Sequence, residues 1–172
     1  RDGPSNDFLS KTCKLWEESS DKFKNSGIRT VKIRTGVVLS KNGGALSKMI
    51  LPVKTGIGSA IGNGRQYVSW IHIDDLCSIY IKALEDSNME GVYNAAAPEY
   101  ITNKEFMQTL AKVVNRPICF PNIPSIAMKI LLGEMSTILI YGSRVSPEKI
   151  LSLGYQFKFL KLEQALKNLL SK

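Results

Sequence analysis

Polar residues at Asn6 or Asp7, followed by Phe8, Thr12, Trp16 and Phe23 at near-helical spacing, predict an N-capped helix running to about Lys24 and ended by Gly27. From Ile28 to Leu39 the chain is first alternating and β-branched, then continuously apolar, which is the pattern of an inner strand. A helix that feeds a buried strand is the αβ half of a βαβ unit. Glycine dominates Lys41 to Gly64, around a short apolar stretch from Ala45 to Leu51 that Pro52 is expected to close. An excursion of that length suits a lid or a binding loop. Alternation from Gln66 to Ile73 predicts a strand, with Asp74 or Asp75 capping a helix through Leu76, Ile79, Tyr80 and Leu84.

Beyond Gly91, Val92 to Ala95 reads as a short inner strand, and Thr102-Asn103-Lys104-Glu105 is a capping box opening a helix to about Val114. Pro117, Pro121 and Pro124 punctuate an extended segment, and the apolar region Ser125 to Tyr141 reads as two buried helices. Ser146-Pro147-Glu148 starts a short helix that Gly154 stops; Tyr155 to Phe159 is extended, and Leu162, Leu166, Leu169 and Leu170 mark a final amphipathic helix. The architecture is an α/β layer over residues 1–98, including the excursion at about 41–66, followed by a mainly helical lobe over 99–172.

At 172 residues, 44% hydrophobic and 22% charged, the chain can bury one moderate core, and disorder is excluded. The +8 charge is spread along the sequence with no dense Lys/Arg run, which argues against nucleic acid as a partner. Three widely spaced cysteines, Cys13, Cys77 and Cys119, read as buried free thiols of a reducing compartment, either the cytoplasm or an organelle matrix. His72 is the sole histidine, so no His-rich metal site is expected. Lys129, Gly133 and Glu134 interrupt the longest apolar region, which excludes a membrane span there. The opening Arg1-Asp2-Gly3-Pro4 lacks Met and a signal segment, and so reads as a chain that begins mid-protein.

No Gly-x-Gly-x-x-Gly occurs, and Gly56-Ile57-Gly58 and Gly62-Asn63-Gly64 stand in the wrong context for a phosphate cradle. A Ser-His-Asp relay would need His72 with Asp74 or Asp75, but a helix-capping aspartate faces its own backbone amides. A structural histidine is the better reading. Cys13 has only Lys11 and Lys14 beside it and reads as a packing residue.

Several strings carry a family likeness: Arg34-Thr35-Gly36-Val37-Val38-Leu39, Gly43-Gly44-Ala45, the run from Gly62 through Ser69-Trp70-Ile71-His72-Ile73-Asp74-Asp75-Leu76, Asn94 with Pro98, Leu132-Gly133-Glu134-Met135, and Gly154-Tyr155 with Phe157. In these the chain resembles extended short-chain dehydrogenase/reductase proteins, in particular the "epimerase family" branch with its C-terminal domain of unknown function. The resemblance implies the C-terminal part of a Rossmann-like doubly wound parallel sheet, followed by a mainly helical substrate-side lobe. It implies an NADP or NAD cofactor, with NADP favoured, and a small-molecule substrate. It places Arg34, Thr35, Gly36 and Val37 beside the nicotinamide, and Met49, Gln66 and Trp70 in the substrate wall.

Two departures qualify the resemblance. The family's Tyr-x-x-x-Lys is not found in the first helix, which leaves the catalytic residues unassigned. Val68-Ser69-Trp70 stands where sugar-nucleotide epimerases carry Arg-Asp-Phe, which argues against a nucleoside-diphosphate sugar unless Arg65 substitutes. Two functions stay open: an NAD(P)-dependent oxidoreductase or epimerase-like protein, and a catalytically silent dinucleotide-sensing or protein-interaction module. Partners stay open between a homo-oligomer and a missing N-terminal half.

Overall fold

The computed structural model describes residues 8–118, 121–126, 130, 140 and 142–171. Helix α1 (Phe8–Asp21) passes through a 3-10 turn (Lys22–Ser26) into β1 (Val31–Thr35) and β2 (Val37–Ser40); α2 (Gly44–Lys54), β3 (Trp70–His72), α3 (Ile73–Glu85), β4 (Gly91–Ala95) and α4 (Asn103–Val113) follow, then α5 (Glu148–Leu151) and α6 (Leu162–Leu170). β1 pairs in parallel with β4, and β2 in parallel with β3. This is the α/β arrangement with parallel strands that the hydrophobic pattern called for.

The side-chain alternation of β3 divides the core in two. Trp70 joins Leu39, Leu46, Val53, Phe106, Leu110, Leu162 and Leu166 under α2, α4 and α6, whereas Ile71 joins Ile79, Met89, Tyr93, Ile150 and Phe157 under α3 and α5. Successive strand residues face opposite sides, so one short strand serves both helical layers. Each layer draws residues from both sides of position 98. In α6, Leu162, Ala165, Leu166 and Leu169 are buried at the spacing of one helical face.

Four local expectations are corrected. The strand expected from Ile28 to Leu39 is broken at Gly36, where the chain leaves β4 and takes β3 as its partner. An unbroken apolar run cannot show such a change of partner. Pro52 does not close the apolar stretch but lies within α2, where it forfeits an amide bond only in the last turn while buried Val53 holds that turn in the core. The cap of α3 is His72, whose Nδ1 accepts from the Asp74 amide at 3.0 Å, and neither aspartate side chain is the cap. Cys13 and Cys77 are free but exposed, on outward faces of α1 and α3. Cys119 and most of the two helices expected over 125–141 lie outside the described residues.

The capping box at Thr102 and Glu105 is present with both reciprocal bonds. Among the described residues no helix is long and apolar enough to cross a membrane, and no cluster of His, Cys, Asp or Glu is suited to a metal ion.

Helix α1 is docked inside out. Its acidic stripe faces the sheet, with Glu17 gripping Arg34 through two bonds of 2.6 and 2.8 Å and Asp21 meeting Lys32 at 2.6 Å. Positions four apart on a helix here meet positions two apart on a strand. The apolar residues Phe8, Leu15 and Trp16 are left 72%, 61% and 73% exposed, and β1 has no partner on its second edge among the described residues.

Candidate functional site

Parallel sheets bind ligands beyond the C-terminal ends of their strands, so the crossing from β1 to β2 is the first place to look. The Gly36 amide donates to the Ala95 carbonyl at 3.0 Å, the Val37 amide to Ser69 at 2.7 Å, and the Ala97 amide to Trp70 at 2.7 Å. Three strand ends are thereby laced together. A Cβ on Gly36 would lie 2.6 Å from the Ser69 carbonyl oxygen, so the need for glycine here is set by the neighbouring strand. Both amides of the Gly36-Val37 step are engaged within the protein. The Arg34 side chain is held by Glu17, whose carboxyl is kept below its ordinary range chiefly by that hydrogen bond. Of the four residues expected beside a nicotinamide, Thr35 presents an exposed side chain at the strand end.

Ser69 also fastens a distant segment across this junction. Its hydroxyl donates to the Ser143 carbonyl at 2.8 Å and accepts from the Val145 amide at 3.3 Å, while Asn94 Nδ2 donates to Ser146 at 2.9 Å. Arg144 covers the Tyr100 ring at 3.9 Å. Gly142 begins this strap, and a side chain there would overlap the Tyr67 carbonyl. These contacts join residues more than forty positions apart, and no local signal announces them.

Beside the strap opens a cleft of about 430 Å³ lined by Ile61, Asn63, Arg65, Gln66, Ser125 and Gly142, among others. Of the three residues expected in a substrate wall, Gln66 lines it. Met49 packs against the core, and Trp70 is fully buried in that core, its Nε1 without a hydrogen-bond partner among the described residues. Arg65, which the resemblance offered only as a substitute, is in the lining. Its turn rests on the start of α4: the Asn103 and Lys104 amides donate to Gln66 and Gly64, and Asn103 Oδ1 accepts from the Ile61 amide.

The Ser-Trp-Ile-His-Ile-Asp-Asp string builds a clasp. Neutral His72 accepts at Nδ1, so its proton sits on Nε2, 3.2 Å from Asn168 Oδ1 on α6, and the ring stacks on Phe159 at 3.9 Å. Asp75 is 2% exposed; it accepts from the Lys158 and Phe159 amides at 2.7 and 3.1 Å and from the Tyr155 hydroxyl at 3.2 Å. Burial, followed by the Asp75 charge, pushes the Tyr155 phenol far up. Neither His72 nor Asp75 faces the cleft lining, and their chemistry is that of a fastening.

Burial lowers the His72 pKa below its ordinary 6.5, against the opposing pull of Asp74 and of the Asn168 bond; Asp75 also raises it, and Lys158 lowers it. The unfolded chain then takes up a proton first as pH falls. The stability supplied by neutral His72 is complete above pH 6.5 and is lost as pH drops through and below that value toward the lower folded pKa. The urea midpoint is expected to fall between pH 7.5 and 5.5, and His72→Asn, which keeps a capping acceptor without titrating, should flatten that slope. An equal slope in both proteins would assign the acid sensitivity to other groups.

Comparison with known proteins agrees with this architecture. Residues 123–169 match the model of a domain of unknown function, DUF1731. The chain is 40% identical over 170 residues to the epimerase family protein SDR39U1 of Mus musculus, covering 98% of this chain and 57% of that protein. It is 41% identical over 165 residues to the epimerase family protein YfhF of Bacillus subtilis (strain 168), covering 96% and 54%. The crystal structure of human epimerase family protein SDR39U1 (isoform 2) with NADPH superposes with a TM-score of 0.89 at 37% identity, over 98% of this chain and 57% of that one. The chain spans about half the length of the curated relatives it matches. Over that span, its sequence and its parallel α/β fold are similar to those of epimerase family proteins.

Proposed function

We propose that these residues form the substrate-side part of an NAD(P)-dependent oxidoreductase or epimerase-like protein that acts on a small molecule. The observation that carries this reading is the junction of strand ends at Thr35-Gly36-Val37, laced through Ser69 to a segment that leads into a cleft. The residues present suit one end of a dinucleotide only: Thr35 is exposed at the strand end, and no glycine-rich phosphate loop occurs in the sequence. A bound nicotinamide would supply hydride exchange there, with Thr35 orienting it and the strap from Gly142 to Val145 excluding water from the junction. The open edge of β1 and the outward apolar stripe of α1 support a further half of the sheet docking on both. NADP is the favoured form, supported by the human relative's structure with NADPH, and the compartment read from the cysteines is the cytoplasm or an organelle matrix.

The test is titration of the full-length protein with NADPH and NADH. NADPH at a hundredfold excess over Kd is expected to add about 2.7 kcal/mol of stability, with NADH giving less at the same concentration. No thermal shift with either would overturn the reading. The lack of a Tyr-x-x-x-Lys pair in α1 favours a second reading, a dinucleotide-sensing or interaction module without catalysis. It predicts the same NADPH shift, with no change in NADPH absorbance on incubation with carbonyl substrates.

A further inference from the structure

Two asparagines in this chain precede a glycine, in Asn42-Gly43 and Asn63-Gly64. Such a pair can react with itself, because glycine has no side chain to keep its main-chain nitrogen away from the preceding carboxamide. The fold gives the two pairs opposite surroundings. Asn63 is tied at both ends: its Oδ1 accepts from the Arg65 amide at 2.9 Å, and the Gly64 amide donates to the Ile61 carbonyl at 3.0 Å. Gly64 is also pressed onto the start of α4, where a Cβ would lie 2.9 Å from that of Lys104. Asn42 belongs to a tight turn between β2 and α2, closed by antiparallel bridges of Ser40 with Gly43 and of Leu39 with Gly44. It is exposed, and its carboxamide has no partner among the described residues; only its main-chain amide is held, by Ser40 Oγ at 3.4 Å. Nothing stands within 4 Å of the place where a Gly43 Cβ would be, so the carboxamide is free to fold back over the Gly43 nitrogen.

We propose that Asn42 is a site of spontaneous deamidation, a modification that the turn permits there and the fold withholds from Asn63. The Gly43 nitrogen attacks Asn42 Cγ; the new C–N bond forms as the Cγ–Nδ2 bond breaks, and ammonia leaves with the proton lost from the Gly43 amide. Water then opens the succinimide, and nothing is oxidised or reduced. Opening at one carbonyl gives aspartate, and at the other a β-aspartyl link with an additional main-chain methylene. The two products act differently on α2. Its N-cap, Gly43, makes no side-chain bond and its first turn holds no acid, so a carboxylate at position 42 meets helix amides that favour negative charge. The additional methylene lengthens the turn and works against the bridge of Ser40 with Gly43. This inference does not depend on the dinucleotide reading.

The full-length protein is aged in mildly alkaline buffer, folded and in parallel in urea, and conversion at each asparagine is read by peptide mass spectrometry. In the folded protein Asn42 is expected to convert about tenfold faster than Asn63 or more, since Asn63 must first open out of its hydrogen bonds. In urea the two rates should converge, because both are then bare Asn-Gly pairs. Asn42→Ser should remove most of the ammonia released by the folded protein. Equal rates in the folded protein, a faster reaction at Asn63, or ammonia release undiminished by Asn42→Ser would each overturn the proposal. A preference for Asn42 that persisted unchanged in urea would trace it to neighbouring sequence and overturn the role given to the turn.

Discussion

Replacing Asp75 with alanine is expected to cost about 3–5 kcal/mol, enough to unfold a marginally stable domain. The carboxylate is buried and accepts from two backbone amides, of Lys158 and Phe159, and from the Tyr155 hydroxyl. Without it the Lys158 and Phe159 amides lose their acceptor, while the Tyr155 hydroxyl keeps the Asp75 carbonyl oxygen at 2.9 Å, and each unpaired donor costs about 1–3 kcal/mol. The segment from Tyr155 to Phe159 is extended and makes no ladder of its own, so Asp75 holds its backbone onto the start of α3. Asp75→Asn keeps one acceptor but turns an NH2 toward an amide donor, and should cost about 2 kcal/mol. Asp74→Asn is the matched control. Asp74 is half-exposed, its 3.2 Å contact with Lys158 is a surface ion pair, and its loss should cost under about 1 kcal/mol. Chemical denaturation with an unchanged m-value would read these differences; equal midpoints for Asp75→Ala and wild type would refute the clasp.

The contrast between these neighbours shows what the sequence disclosed. Both aspartates precede an amphipathic run, and local logic assigns each to capping. The capping box at Thr102 and Glu105 was legible because its bonds join side chains to their own backbone three residues away. The role of Asp75 was not legible, because its partners lie eighty or more residues on. His72 escaped for another reason: its Nδ1 does the work of an asparagine oxygen, and an imidazole cap is outside the usual preferences. The final helix and β4 followed from periodicity alone, whereas α1 obeyed its period and reversed its sense, placing its charges on the sheet. A helix reveals an apolar stripe from its sequence, but which stripe meets the sheet depends on Lys32 and Arg34 of β1. Of the residues expected in a substrate wall, Gln66 lies in the cleft lining and Trp70 is buried in the core, a choice of face that packing makes and a string of residues does not show.

Gly36→Ala should cost about 2–4 kcal/mol and should weaken NADPH binding in the full-length protein more than its effect on stability would suggest. The reason is contact and not backbone conformation. The new methyl would sit 2.6 Å from the Ser69 carbonyl oxygen, and that oxygen is fixed by the Val37 amide at 2.7 Å. Relief requires β2 and β3 to part, which loosens the Gly36 bond to Ala95 and displaces Thr35, the residue proposed to orient the nicotinamide. Gly27 supplies the contrast. Its φ of +72° lies in the left-handed region with nothing within 4 Å of a Cβ, so its requirement is conformational. Gly27→Asn, which tolerates that region, should be nearly silent, and Gly27→Ala should cost about 1 kcal/mol. Asparagine has no such remedy at position 36, where Gly36→Asn should be at least as damaging as Gly36→Ala. If Gly36→Ala left both the denaturation midpoint and NADPH affinity unchanged, the lacing of strand ends would not control the junction, and the cofactor reading of Thr35 would lose its structural basis.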